Sequence, residues 1–91
     1  MDHTIKYKED ANIGMVSYKD ALTVTINADN QFEAIKAFGI QKINEGFTNG
    51  QSAQTLIDNL NAVVGESENM IHEVNKLELM KDGIIEFRII E

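Results

Sequence analysis

The stretch "FTNGQSAQTLIDNLNAVVG", residues 47–65, constrains the fold more than any other part of the chain. Ala53, Leu56, Ile57, Leu60, Val63 and Val64 recur at i, i+3, i+4, i+7 spacing, the period of one helical face. At 100° per residue they fill an arc of about 120°. Gln51, Gln54, Asp58 and Asn61 stand opposite. A helix with one apolar face has to lay that face on something, and Gly65 suits the left-handed residue that ends it. The chain therefore needs a second apolar layer.

The segment "LTVTIN", residues 22–27, can supply one. Leu22, Val24 and Ile26 alternate with Thr23, Thr25 and Asn27, the period of a half-buried strand. Before it, "IGMVSYK" predicts a hairpin partner. A three-residue loop, Lys19-Asp20-Ala21, sets Tyr18 opposite Leu22 and Val16 opposite Val24, keeping apolar residues on one face. "TIKYK" alternates Ile5 and Tyr7 with Lys6 and Lys8 and reads as an added edge strand, where outward lysines discourage stray pairing.

A first helix is expected in "ADNQFEAIKAFGIQKINEG". Asn30 followed by Glu33 resembles a capping box, and Phe32, Ile35, Gly39 and Ile43 fall on one stripe. Gly39 inside a helix costs about 1 kcal/mol relative to Ala. It either admits a closely packed neighbour or ends a shorter helix. Residues 66–73, "ESENMIHE", read as a loop.

The last segment, "NKLELMKDGIIEFRIIE", reads as a hairpin. A two-residue Asp82-Gly83 turn would oppose Leu79 to Glu86 and Leu77 to Arg88. A three-residue Lys81-Asp82-Gly83 loop opposes Leu79 to Ile85 and Leu77 to Phe87, with Gly83 at the left-handed position. The second register keeps like with like. It leaves Val74, Met80, Ile84 and Ile90 on the outer face among charges, a strip suited to self-association. The sum is a single α+β domain over residues 1–91: an antiparallel sheet of four to five strands with two helices on one face, in the order ββ(β)-α-α-ββ.

Chemistry is hard to find along the chain. There is no Cys, so thiol catalysis and thiolate zinc sites are excluded. "IHEV" lacks the second histidine of a His-Glu-x-x-His site, because residue 76 is Lys. "KDGIIEFRIIE" fails as a calcium loop, since Met80 and Ile89 would fall at ligand positions. "GFTNG" lacks the Lys-Ser/Thr of a phosphate loop, and no serine sits in a nucleophile elbow. A non-enzymatic protein without metal or other cofactor is expected. The opening "MDHTIKYKED" is charged and has no apolar core, so it does not read as a signal peptide. No apolar run approaches the ~20 residues of a membrane span, and the expected location is the cytoplasm.

Charge is the informative property. The chain carries 15 acidic and 8 basic side chains, net −7. That balance disfavours direct binding to nucleic acid, which requires neutralising phosphates, and to anionic membranes. Residues 43–75 contain no Lys or Arg but five acids: Glu45, Asp58, Glu66, Glu68 and Glu73. Acidic helix faces commonly serve solubility. The same run could instead engage a basic protein, speeding encounter by electrostatic steering.

In size, in lacking Cys and Pro, and in this acid-only run, the chain resembles small acidic phage-encoded proteins that imitate DNA. The resemblance implies an inhibitor that occupies the nucleic-acid site of a host protein, such as a histone-like nucleoid protein, within a bacterial or phage-infected cell. Glu45, Asp58, Glu66, Glu68 and Glu73 would stand in for phosphates, and a homodimer would double the surface. The alternative is an assembly module that self-associates through its sheet, its acids serving only solubility.

Overall fold

The computed structural model describes residues 1–11 and 21–90. Strands β1 (Asp2–Ala11) and β2 (Leu22–Asn27) come first, then helices α1 (Gln31–Asn44), α2 (Ala53–Asn61) and α3 (Ser67–Lys76), then strand β3 (Ile84–Ile89). The sheet is antiparallel in the order β2-β1-β3. The α+β class stands as expected. The described residues hold three strands and three helices, however, in place of four to five strands and two helices. The hairpin strand expected in "IGMVSYK" lies outside the described residues.

β1 is the central strand, not an edge. Ile5 sits opposite Val24 on one side and Ile89 on the other, and Tyr7 opposite Leu22 and Phe87. Lys6 and Lys8 point away from the helices, so they guard a face of the sheet while both backbone edges of β1 are paired. Alternation sends His3, Ile5 and Tyr7 inward with Val24, Ile26, Phe87 and Ile89.

On that inner face Phe38 of α1 packs between Tyr7 and Phe87, with ring centroids 5.3 and 5.2 Å away. Such tilted and edge-on contacts suit the aromatic quadrupole. α1 starts where expected, because Asn30 Oδ1 accepts the Glu33 N–H at 2.9 Å. It runs straight through Gly39. A Cβ at Gly39 would lie 3.0 Å from Leu60 Cδ1 of α2 and 3.3 Å from Val74 Cγ2 of α3, so the glycine admits close helix packing.

α2 is shorter than its apolar pattern predicts. It ends at Asn61, Val63 is half-buried, and Val64 is 83% exposed. Gly65 does adopt the left-handed conformation, with φ +127°, but in the link to α3.

α3 replaces the expected loop. Its apolar content is slight, yet Met70 and Val74, four residues apart, are both buried. Glu68 in the first turn and Lys76 in the last complement the helix dipole. Tertiary packing on α1 supplies what local propensity does not.

The helix also consumes half of the expected closing hairpin. Its three-residue loop and register are present: Met80 bridges Ile84, and the Ile85 N–H donates to the Leu79 carbonyl at 2.9 Å. Pairing stops there, because Glu78 takes φ +48° and turns the chain into α3. Phe87 faces Tyr7 rather than Leu77. Gly83 is not left-handed. A Cβ there would come within 2.6 Å of Asp10 Cα, so close approach to β1 explains this glycine.

The strip expected for self-association is dispersed by the same change. Val74, on α3, turns inward and is 2% exposed, and Ile84 is also buried. Met80 is half-buried and only Ile90 is exposed. The sheet's outer face instead carries Thr4, Lys6, Lys8, Thr23, Thr25, Glu86 and Arg88. No helix of the described residues is long and apolar enough to cross a membrane.

Candidate functional site

The acid-only run folds into the end of α1 and the layer of α2 and α3. Its five carboxylates are not equivalent. Glu45 caps α1 and lies 3.3 Å from Lys42 Nζ. Glu73 pairs with Lys76 at 3.5 Å, one turn along α3. Asp58, Glu66 and Glu68 are exposed and have no ion-pair partner among the described residues.

Those three bracket the connection between α2 and α3. Asp58 lies one turn before the end of α2, and Gln54 Nε2 donates to its Oδ1 at 2.7 Å. Glu66 is the N-cap position of α3 and Glu68 lies in its first turn, where the helix dipole favours negative charge. Three exposed carboxylates, two of them held at a helix N-terminus, make a surface suited to cationic groups.

Three of the basic residues are kept apart from it, whereas Lys76 lies at the end of α3 and Lys36 and Lys42 on α1. Lys6 and Arg88 are directly opposite each other on β1 and β3, and Lys8 is opposite Glu86, all on the outer face of the sheet. Like charges directly opposite are unfavourable in a sheet; here Lys6 is half-buried and Arg88 exposed. The whole-chain charge of −7 thus hides a division between an acidic helical side and a sheet face with three cations.

A second cluster escaped the sequence reading. Lys42, on α1, is only 3% exposed. Its Nζ lies 3.1 Å from Glu9 Oε2 and 3.3 Å from Glu45 Oε1. The Tyr7 ring centroid is 4.4 Å away, with Phe38 at 5.7 Å and Phe47 at 6.0 Å. Burial is the largest single influence on its pKa and lowers it. The hydrogen bond donated to Glu9, the electrostatic influence of Tyr7 and of Glu9, and the hydrogen bond donated to Glu45 together outweigh burial and raise it. An ammonium so held has no lone pair to offer a substrate. It is a structural cation that ties α1 to β1.

One clue to Lys42 was present in the sequence, since Ile35, Phe38, Gly39 and Lys42 share a helical stripe. Glu9, 33 positions away, could not be assigned to it. His3 is also buried, and its Nε2 has no hydrogen-bond partner among the described residues. His72 is exposed on α3. Among the described residues no three His, Cys, Asp or Glu side chains are grouped to hold a metal ion.

No protein-family model, curated protein or solved structure matches this chain. A functional reading therefore rests on the residues themselves.

Proposed function

We propose that this chain is a non-enzymatic, acidic interaction protein of the DNA-mimic type, an inhibitor that lays its helical side on the basic nucleic-acid-binding surface of another protein. The observation that carries the reading is the set Asp58, Glu66 and Glu68: exposed, unpaired with any cation among the described residues, and on helices that contain no base before Lys76. Carboxylates presented this way can meet Lys and Arg side chains that otherwise contact phosphates. Glu45 and Glu73, each shared with a lysine of its own helix, would contribute less. Placement of Lys6, Lys8 and Arg88 on the outer face of the sheet keeps like charge away from such a contact.

The test is displacement of a fluorescent DNA duplex from a histone-like nucleoid protein, read by anisotropy. The chain should release the duplex at low salt and lose this effect as salt screens the contact. Reversal of all three residues, Asp58→Lys, Glu66→Lys and Glu68→Lys, should abolish displacement while leaving the far-UV circular dichroism unchanged. Equal displacement by the reversed variant would sink the proposal.

A further inference from the structure

Asn49 and Gly50 are the central residues of a turn in the connection between α1 and α2. The Gln51 N–H donates to the Thr48 carbonyl at 2.9 Å, and Asn49 and Gly50 take φ +50° and +77°. Left-handed backbone at both central positions favours this residue pair. Both residues are exposed, and a Cβ added at Gly50 would meet nothing within 4 Å. Neither the Asn49 side chain nor the Gly50 N–H makes a hydrogen bond among the described residues. An amide carbon and the next main-chain nitrogen are thus both uncommitted and open to water.

The other described asparagines differ. Asn27 Nδ2 donates to Asp2, and the Ala28 N–H that follows it donates to the Met1 carbonyl. Asn30 is held as the α1 cap. Asn44, Asn59, Asn61, Asn69 and Asn75 lie in helices, where the following N–H is bonded one turn back. Only Asn49 is followed by glycine, whose missing side chain leaves its nitrogen accessible.

We propose that Asn49-Gly50 is a site of spontaneous deamidation, with water as the co-reactant. The Gly50 nitrogen attacks Asn49 Cγ and forms a cyclic imide. The Cγ–Nδ2 bond breaks, and the nitrogen leaves as ammonia with the proton from the Gly50 N–H. Water then opens the ring, its hydroxyl adding to a ring carbonyl and its proton returning to the Gly50 nitrogen. Opening at Cγ gives aspartate, and opening at the main-chain carbonyl gives isoaspartate. No oxidant or reductant is needed.

Either product places a new carboxylate in residues 43–75, which hold five acids and no Lys or Arg, so the whole-chain charge moves from −7 to −8. Aspartate tolerates the left-handed turn. Isoaspartate routes the main chain through its Cβ, lengthening the turn and breaking the hydrogen bond from Gln51 to Thr48. The site lies outside the set Asp58, Glu66 and Glu68, so this chemistry does not depend on what that set binds.

The experiment incubates the full chain in mildly alkaline buffer beside the free peptide FTNGQS, residues 47–52, as the clock. Intact mass and the Asn49 side-chain amide signals in NMR are followed together. The turn is closed by one exposed hydrogen bond, so local opening costs little and the folded chain should react within about tenfold of the peptide rate. Its mass should rise by the difference between water and ammonia as the Asn49 signals disappear, and fragmentation should place both aspartate and isoaspartate at position 49. The Asn49→Asp variant should show no gain. An unchanged chain after the peptide has reacted and a further tenfold time has passed would overturn the proposal. So would a gain at another asparagine with Asn49 intact, or the same gain in Asn49→Asp.

Discussion

β1 shows two different surfaces within one strand. Ile5 and Tyr7 face the helices, and Glu9 reaches Lys42, so the inward side pairs apolar groups with one another and a carboxylate with a buried ammonium. Lys6 and Lys8 face outward beside Arg88 and Glu86, where water screens them. The same residue type thus has opposite duties: Lys42 is held by two carboxylates and three rings, while Lys6 tolerates a cation directly opposite. Burial decides which charges must be paired.

That contrast is most severely tested by Phe38→Ala, which removes the ring between Tyr7 and Phe87. It should destabilise the domain by about 3–5 kcal/mol in urea unfolding. Thr25→Ala, on the outer face, should change it by no more than ~0.5 kcal/mol. Similar losses at the two sites would mean that the outer face is as closely packed as the inner.

Lys42→Met comes next. It keeps the stem against the rings but leaves Glu9 and Glu45 without their cation, and should cost about 1–3 kcal/mol. The pKa of Lys42 is raised in the folded state, so its stabilising contribution is fully present below the unfolded pKa and is lost as pH rises through the folded one. The difference in unfolding free energy between wild type and Lys42→Met should therefore shrink at strongly alkaline pH. A difference that stays constant there would remove the ion pairs from the account.

Gly39→Val should cost about 1–3 kcal/mol by forcing Leu60 and Val74 apart, read as a lowered Tm. A neutral result would show that α2 and α3 can yield at this crossing. The smallest effect is expected at Lys6→Glu, which converts a like-charged cross-strand pair with Arg88 into an opposite one. A gain of about 0.2–1 kcal/mol at low salt, fading at high salt, would fit an open outer face. A loss of more than ~1 kcal/mol would contradict it.

Several elements could be read directly from local sequence. The alternation of Leu22, Val24 and Ile26 marked β2, Asn30 marked the start of α1, and the Lys81–Gly83 loop kept Leu79 beside Ile85. These depend on contacts within a few residues. α3 was missed because only Met70 and Val74 mark its buried face, and Val74 also fitted the expected hairpin. One wrong element then displaced the others: the strand over Leu77 to Met80 was lost and the self-association strip dissolved. At the acidic surface, the five carboxylates were visible as a run, but not the division between those paired with Lys42 or Lys76 and the three without a cation among the described residues.

Taken alone, the sequence determined the α+β class, the Asn30 cap, the turn register and the acid-only run, since each follows from side-chain period or from hydrogen bonds between near neighbours. Only the tertiary structure decided that β1 lies in the middle, that Lys42 is enclosed, that α3 is a helix, and that Lys6, Lys8 and Arg88 share a face. Those outcomes depend on segments from opposite ends of the chain competing to cover the same apolar surface around Phe38, and no local pattern records which of them wins.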